Sequence, residues 1–107
     1  MKQVLVVDDH PVVRDSLKEF LEKTFPMLQV QTSSGHGNVV EEICGKRWVF
    51  VVLDINLPNV HGLDIVKQAK TRQPETPIIV FSLHAESHYA ARALRAGAVA
   101  YFSKDRS

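Results

Sequence analysis

Apolar residues in this chain fall into two alternating patterns. Short runs rich in Val, Ile and Phe lie at residues 3–7, 28–32, 48–53, 77–81 and 99–102. Brief bounded runs of this kind predict strands. Between them apolar positions recur at helical spacing, as in Val13, Leu17, Phe20 and Leu21, or Leu63, Ile65, Val66 and Ala69. An alanine-rich stretch over 87–96 predicts a further helix. The run 48–53, Trp-Val-Phe-Val-Val-Leu, has no polar interruption. It predicts a strand buried on both faces, as occurs inside a parallel sheet. Residues 28–32 instead alternate apolar with polar, which suits a strand nearer a sheet edge.

Punctuation residues set the boundaries. Pro11 fits the first turn of a helix, with Asp9 or His10 ahead of it, and Pro26 ends that helix. Asn38-Val39-Val40-Glu41 resembles a capping box opening a short helix that stops near Gly45. Pro58 and Gly62 mark a loop, the next helix stops before Pro74, and Gly97 suits the position just past a helix end. The order βαβαβαβαβ predicts an α/β domain, a doubly wound five-stranded parallel sheet with helices on both faces. The closing helix that usually follows a fifth strand is missing before Ser107. The expectation is therefore a single domain, 1–107, cut from a longer protein, with part of one sheet face exposed.

Composition narrows the classes. A chain of 107 residues supports one core, and 45% hydrophobic with 23% charged residues is ordinary for a globular protein. A net charge of +1 favours neither nucleic acid nor an anionic membrane as a direct partner. The single cysteine, Cys44, excludes an internal disulfide and reads as a small packing residue, so a cytoplasmic location is expected. Two Asp residues interrupt the opening MKQVLVVDDH too soon for a signal peptide, and no stretch approaches the ~20 apolar residues of a membrane span.

Four predicted strands end in residues capable of chemistry: Asp8 and Asp9, Asp54, Ser82, and Lys104. In open α/β sheets the ligand crevice lies at these carboxyl ends. Crowded carboxylates repel one another unless a cation sits among them, and hard oxygen donors select Mg2+. Lys104 and Ser82 would offer a charge and a hydroxyl to the oxygens of a phosphoryl group. Asp54 would be the nucleophile, forming an aspartyl phosphate. No glycine-rich phosphate loop is present, so a nucleotide is not expected. Each residue has a plainer reading: Asp9 or Ser82 as a helix cap, Lys104 as a solvated charge, Tyr101 as a half-buried aromatic. His84 and His88, four apart, read as surface histidines.

The pair Asp8-Asp9, the block Asp54-Ile55-Asn56-Leu57-Pro58-Asn59-Val60-His61-Gly62, Ser82, and Gly97-Ala98-Val99-Ala100-Tyr101-Phe102-Ser103-Lys104 together resemble the receiver domain of two-component response regulators. The resemblance runs the whole chain in order. It implies a flavodoxin-like fold with strand order 2-1-3-4-5. It further implies that Asp54 accepts a phosphoryl group from a sensor histidine kinase. Asp9, Asp54 and the carbonyl of Asn56 would ligate Mg2+, with Asp8 acting mainly through water. Lys104 and Ser82 would contact the phosphoryl oxygens. Tyr101 would be a switch following Ser82, signalling to the face built from the fourth helix and fifth strand.

The opening Asp8-Asp9-His10-Pro11-Val12-Val13-Arg14 and the ending Ser103-Lys104-Asp105 resemble the subgroup joined to LuxR-type helix-turn-helix domains. That implies transcription regulation through a C-terminal DNA-binding domain outside this chain, with homodimerisation on activation. Two departures are Asp105, where many receivers carry proline, and Leu83, where a small residue is frequent. The implied chemistry is limited to the domain's own phosphorylation and dephosphorylation, so it is not an enzyme in the ordinary sense. Two other classes compete. A haloacid-dehalogenase-like phosphatase would place a general acid two residues past the nucleophile, where this chain has Asn56, which cannot transfer a proton. A degenerate receiver acting only as an interaction module would not need the full set Asp8, Asp9, Asp54, Ser82 and Lys104, though the missing last helix keeps it open.

Overall fold

The computed structural model describes residues 2–57, 61–82 and 87–103, with 87 and 88 described through their backbone alone. Five strands, β1 (Lys2–Val7), β2 (Leu28–Ser33), β3 (Val51–Asp54), β4 (Ile78–Ser82) and β5 (Ala100–Ser103), alternate with four helices. These are α1 (Pro11–Thr24), α2 (Val39–Cys44), α3 (Gly62–Arg72) and α4 (Ser87–Ala96). All strand pairs are parallel, and the order β2-β1-β3-β4-β5 is the flavodoxin-like one expected. Because all five strands run parallel, they finish on one sheet edge.

Alternation along the strands divides the core. Leu5, Val7, Val51, Leu53, Ile78 and Val80 point to the face covered by α2, α3 and α4, where Ile43, Val66, Ala69 and Ala93 complete a continuous cluster. Val4, Val6, Val30 and Val52 point the other way and pack beneath Leu21 and Leu17 of α1. Each large apolar side chain buried this way is worth about 2 kcal/mol. Farther along that second face Phe81 and Phe102 pack ring to ring at 5.8 Å, and Phe102 is half exposed. Cys44 packs against the larger cluster as a free thiol, as its sequence context predicts.

Predicted strand boundaries shift by a residue at β1, β2 and β4, and the starts of β3 and β5 move as well. The apolar run 48–53 counts as regular strand only from Val51, although the Val49 N–H already donates to the Gln3 carbonyl of β1 at 2.8 Å, and burial on both faces holds for 51–54 but not for Val49, which is 39% exposed. The Trp48 indole Nε1 donates to the carbonyl oxygens of Glu42 and Ile43 at the end of α2, tying the approach to the helix. The fifth strand starts one residue later than expected, at Ala100, after the Val99 N–H donates to Ile78.

Caps follow the sequence more closely. Asn38 Oδ1 accepts the Glu41 N–H at 3.1 Å, the first half of the predicted capping box. The Glu41 carboxylate, however, turns to Arg72 on α3 at 2.6 Å, and the guanidinium holds that carboxyl below its ordinary pKa. Gly97 ends α4 with φ +121°, a conformation L side chains rarely adopt.

The edge position of β2 has a specific consequence. Exposed strand edges invite pairing with other chains. Here Glu22 and Lys18, one turn apart on α1, close over it. Glu22 Oε2 accepts the Val30 N–H at 3.1 Å, Lys18 Nζ donates to the Val30 carbonyl at 2.8 Å, and the two side chains pair at 3.0 Å. The Val30 N–H and then the Lys18 ammonium lower the Glu22 pKa from its ordinary 4.5. A carboxylate depressed on folding adds stability above its unfolded pKa and loses it as pH falls through the folded value. Glu22→Gln is therefore expected to melt below the parent at neutral pH and to match it once the solution is acidic enough to protonate Glu22. Thermal midpoints at pH 7 and near pH 3 check this; a gap of equal size at both would show that the charge contributes nothing.

Candidate functional site

The strand ends converge as the topology requires. Val7 pairs with Leu53 in the β1–β3 register, so Asp8 and Asp54 follow side by side. Both carboxylates are buried, Asp54 completely, while Asp9 remains partly exposed beside them. Asp54 Oδ1 accepts the Asn56 N–H at 2.8 Å, which fixes the rotation of the carboxylate. Ser82, fully buried at the end of β4, donates its hydroxyl to Asn56 Oδ1 at 3.2 Å. Asn56 thus links the end of β3 to the end of β4. Arg14 on α1 donates to the Asp8 carbonyl at 3.1 Å and steadies the first loop.

Of the residues predicted from sequence, the structure brings together Asp8, Asp9, Asp54, Asn56 and Ser82. Tyr101 stands apart, half buried on β5 opposite Val80 and packed on the larger core cluster. Lys104 lies outside the described residues, as do Leu83, His84 and Asp105; His88 is described only through its backbone. His61 is exposed and precedes α3 as its cap residue.

One residue was not singled out by the sequence. His10, directly before α1, turns its ring into the cluster. Its Nδ1 lies 3.1 Å from Asp8 Oδ1, 3.1 Å from Asp9 Oδ1 and 4.0 Å from Asp54 Oδ2, and its N–H donates to Asp8 Oδ1 at 2.9 Å. The available signal was its place between an acidic pair and a helix-opening proline, which reads equally well as a simple cap. Asp8, Asp9, His10 and Asp54 each bring a ligand atom within 4.8 Å of the others. Three carboxylates at that spacing strongly favour positive charge among them, so the donor set fits a divalent cation.

Comparison with known proteins decides the family. A sequence model of the response regulator receiver domain matches residues 4–107. The chain belongs to that family. As a receiver it is 33% identical over 107 residues to the transcriptional regulatory protein MctR of Rhizobium johnstonii, covering 98% of this chain and 49% of that protein. The chain spans about half the length of the curated relatives it matches. Among solved structures it is similar to a response regulator from Burkholderia pseudomallei holding a phosphorylated aspartic acid, a calcium ion and citrate. That likeness has a TM-score of 0.83 at 26% identity and covers 100% of this chain and 62% of the other. It is also similar to a LuxR-family two-component response regulator from an Aurantimonas species, at TM-score 0.87 and 26% identity, over 98% of this chain and 75% of that one.

Proposed function

We propose that this receiver is a phosphorylation-controlled switch in which Asp54 accepts a phosphoryl group from the phosphohistidine of a sensor kinase, with Mg2+. The observation that carries the reading is the meeting of Asp8, Asp9 and Asp54 at one sheet edge, ligand atoms within 4.8 Å, with Ser82 joined to them through Asn56. Asp8, Asp9 and Asp54, with the Asn56 carbonyl, would hold the Mg2+, whose charge offsets that of the carboxylates and of the incoming phosphoryl oxygens. An Asp54 carboxylate oxygen attacks phosphorus, a P–O bond forms, and the P–N bond to the donor imidazole breaks. The Asn56 N–H holds the nucleophile in one rotamer for that attack. Lys104 would meet the phosphoryl oxygens.

The switch then runs through Ser82. Its hydroxyl now donates to Asn56 Oδ1. A phosphoryl group on Asp54 offers a charged acceptor, and charge-assisted hydrogen bonds are roughly twice as strong as neutral ones. Ser82 would leave Asn56 for it, and Tyr101, on the neighbouring strand, would change rotamer in response. The altered α4–β5 surface would promote homodimerisation and, through a C-terminal DNA-binding domain, regulate transcription in the cytoplasm.

The test is intact mass after incubation with acetyl phosphate, with and without Mg2+. One added phosphoryl group that requires Mg2+ is expected. A folded protein that never gains the adduct would overturn the switch and leave the interaction-module reading.

A further inference from the structure

We infer that His10 is a nitrogen ligand of the metal site, which makes this receiver accept a borderline first-row cation such as Co2+ more readily than an all-oxygen site would. The inference rests on the proposed cation among Asp8, Asp9 and Asp54 and adds a fourth donor of different chemistry.

The geometry is the first argument. An octahedral cation with bonds of about 2.1 Å places adjacent ligands about 3.0 Å apart and opposite ligands about 4.2 Å apart. His10 Nδ1 stands 3.1 Å from one oxygen of Asp8 and 3.1 Å from one of Asp9, both adjacent-ligand spacings. Its 4.0 Å to Asp54 Oδ2 approaches the opposite-ligand spacing. The Nδ1 contact with Asp8 Oδ1 is a hydrogen bond while no cation is present, and a cation bound there would take the Nδ1 lone pair with the ring proton on Nε2.

Backbone and chemistry agree with it. His10 has extended φ and ψ of −96° and 109°, makes no side-chain cap to α1, and its own N–H bonds to Asp8. These features aim the ring at the carboxylates rather than at the helix end. Imidazole suits transition cations, whereas Mg2+ prefers oxygen donors and retained water. Affinity of a given site generally rises from Mn2+ to Co2+, and an imidazole donor adds to the preference for the later cation, since Mn2+ like Mg2+ suits oxygen. The ring is half exposed, so a cation with several waters still has room at its outer side.

The experiment titrates Co2+ and Mg2+ separately into the full chain and into His10→Ala by calorimetry. Mn2+-loaded samples of both are then read by pulsed electron paramagnetic resonance for coupling to a histidine 14N. Removal of a metal-ligating or ligand-orienting group costs roughly 10- to 100-fold in metal affinity, and that loss is expected for Co2+. Mg2+ affinity should move by less than about threefold, since oxygen donors dominate its binding. The 14N signal should be present in the parent and lost in His10→Ala. If both cations bind the parent and His10→Ala alters neither, with no 14N coupling, His10 only hydrogen-bonds to the carboxylates and the inference fails while the switch stands. Equal losses for Co2+ and Mg2+ would make His10 a positioning residue and also overturn it. If the parent binds neither cation, the Mg2+ reading itself falls, and the inference with it.

Discussion

Asp54→Asn is expected to gain no phosphoryl group from acetyl phosphate under conditions where the parent is fully or largely converted. The amide keeps the shape of the side chain, and its oxygen can still accept the Asn56 N–H that Asp54 Oδ1 now accepts at 2.8 Å. What it loses is the nucleophile, because an amide oxygen does not attack phosphorus at neutral pH. The loss should be complete. Stability should not fall with it, since the substitution neutralises one of three carboxylates that crowd within 4.8 Å. A thermal midpoint equal to or above the parent's therefore separates lost chemistry from lost folding. An adduct that persists in Asp54→Asn would move the acceptor to a neighbour, and the partly exposed Asp9 would be the first to examine.

Much of this site could be read in the chain because it depends on strand ends. Parallel order follows from alternating periodicities, and parallel order alone brings the residues after β1, β3 and β4 to one edge. Asn38 and Gly97 behaved as their local chemistry dictates, since caps depend on neighbours a few positions away. Features that join distant segments were not legible. Nothing near Trp48 announces that its indole will bond the end of α2. Glu41 completes no capping box because Arg72, 31 residues on, competes for its carboxylate. The Lys18–Glu22 pair looks like any helical ion pair until β2 is laid beneath it. His10 is the same kind of case: the direction of its ring depends on where β3 delivers Asp54.

Gly62 shows that limit most sharply, and its substitution carries the largest structural effect expected here. The sequence marks it as a loop glycine, yet it is the first residue of α3, and no unusual φ explains it. Its reason is proximity. A Cβ built there would lie 2.5 Å from both Cα and Cβ of Ile55 and 2.8 Å from the Ile55 carbonyl oxygen. Ile55 has little room to withdraw, being buried in the larger cluster with its N–H bonded to Phe81 at 3.1 Å. Alanine gains up to about 1 kcal/mol in helix propensity, less at a first helical position. Overpacking against backbone costs about 3 kcal/mol, so the clash wins. Gly62→Ala is expected to lose about 2 kcal/mol net, roughly 10 °C in thermal midpoint for a domain of this size. Ile55 also lies between Asp54 and Asn56, so the shift should loosen both the Asn56 N–H bond to Asp54 and the Ser82 bond to Asn56. Misplacement of about 1 Å can cost about 100-fold in rate, so phosphoryl uptake should slow well beyond the loss of folded protein. Ile43→Val, a core change on α2 away from the acidic site, is the comparison: it should lower stability by about 1 kcal/mol and leave the uptake rate unchanged. Equal uptake rates in Gly62→Ala and the parent would show that the α3–Ile55 contact shapes the fold without setting the geometry of Asp54.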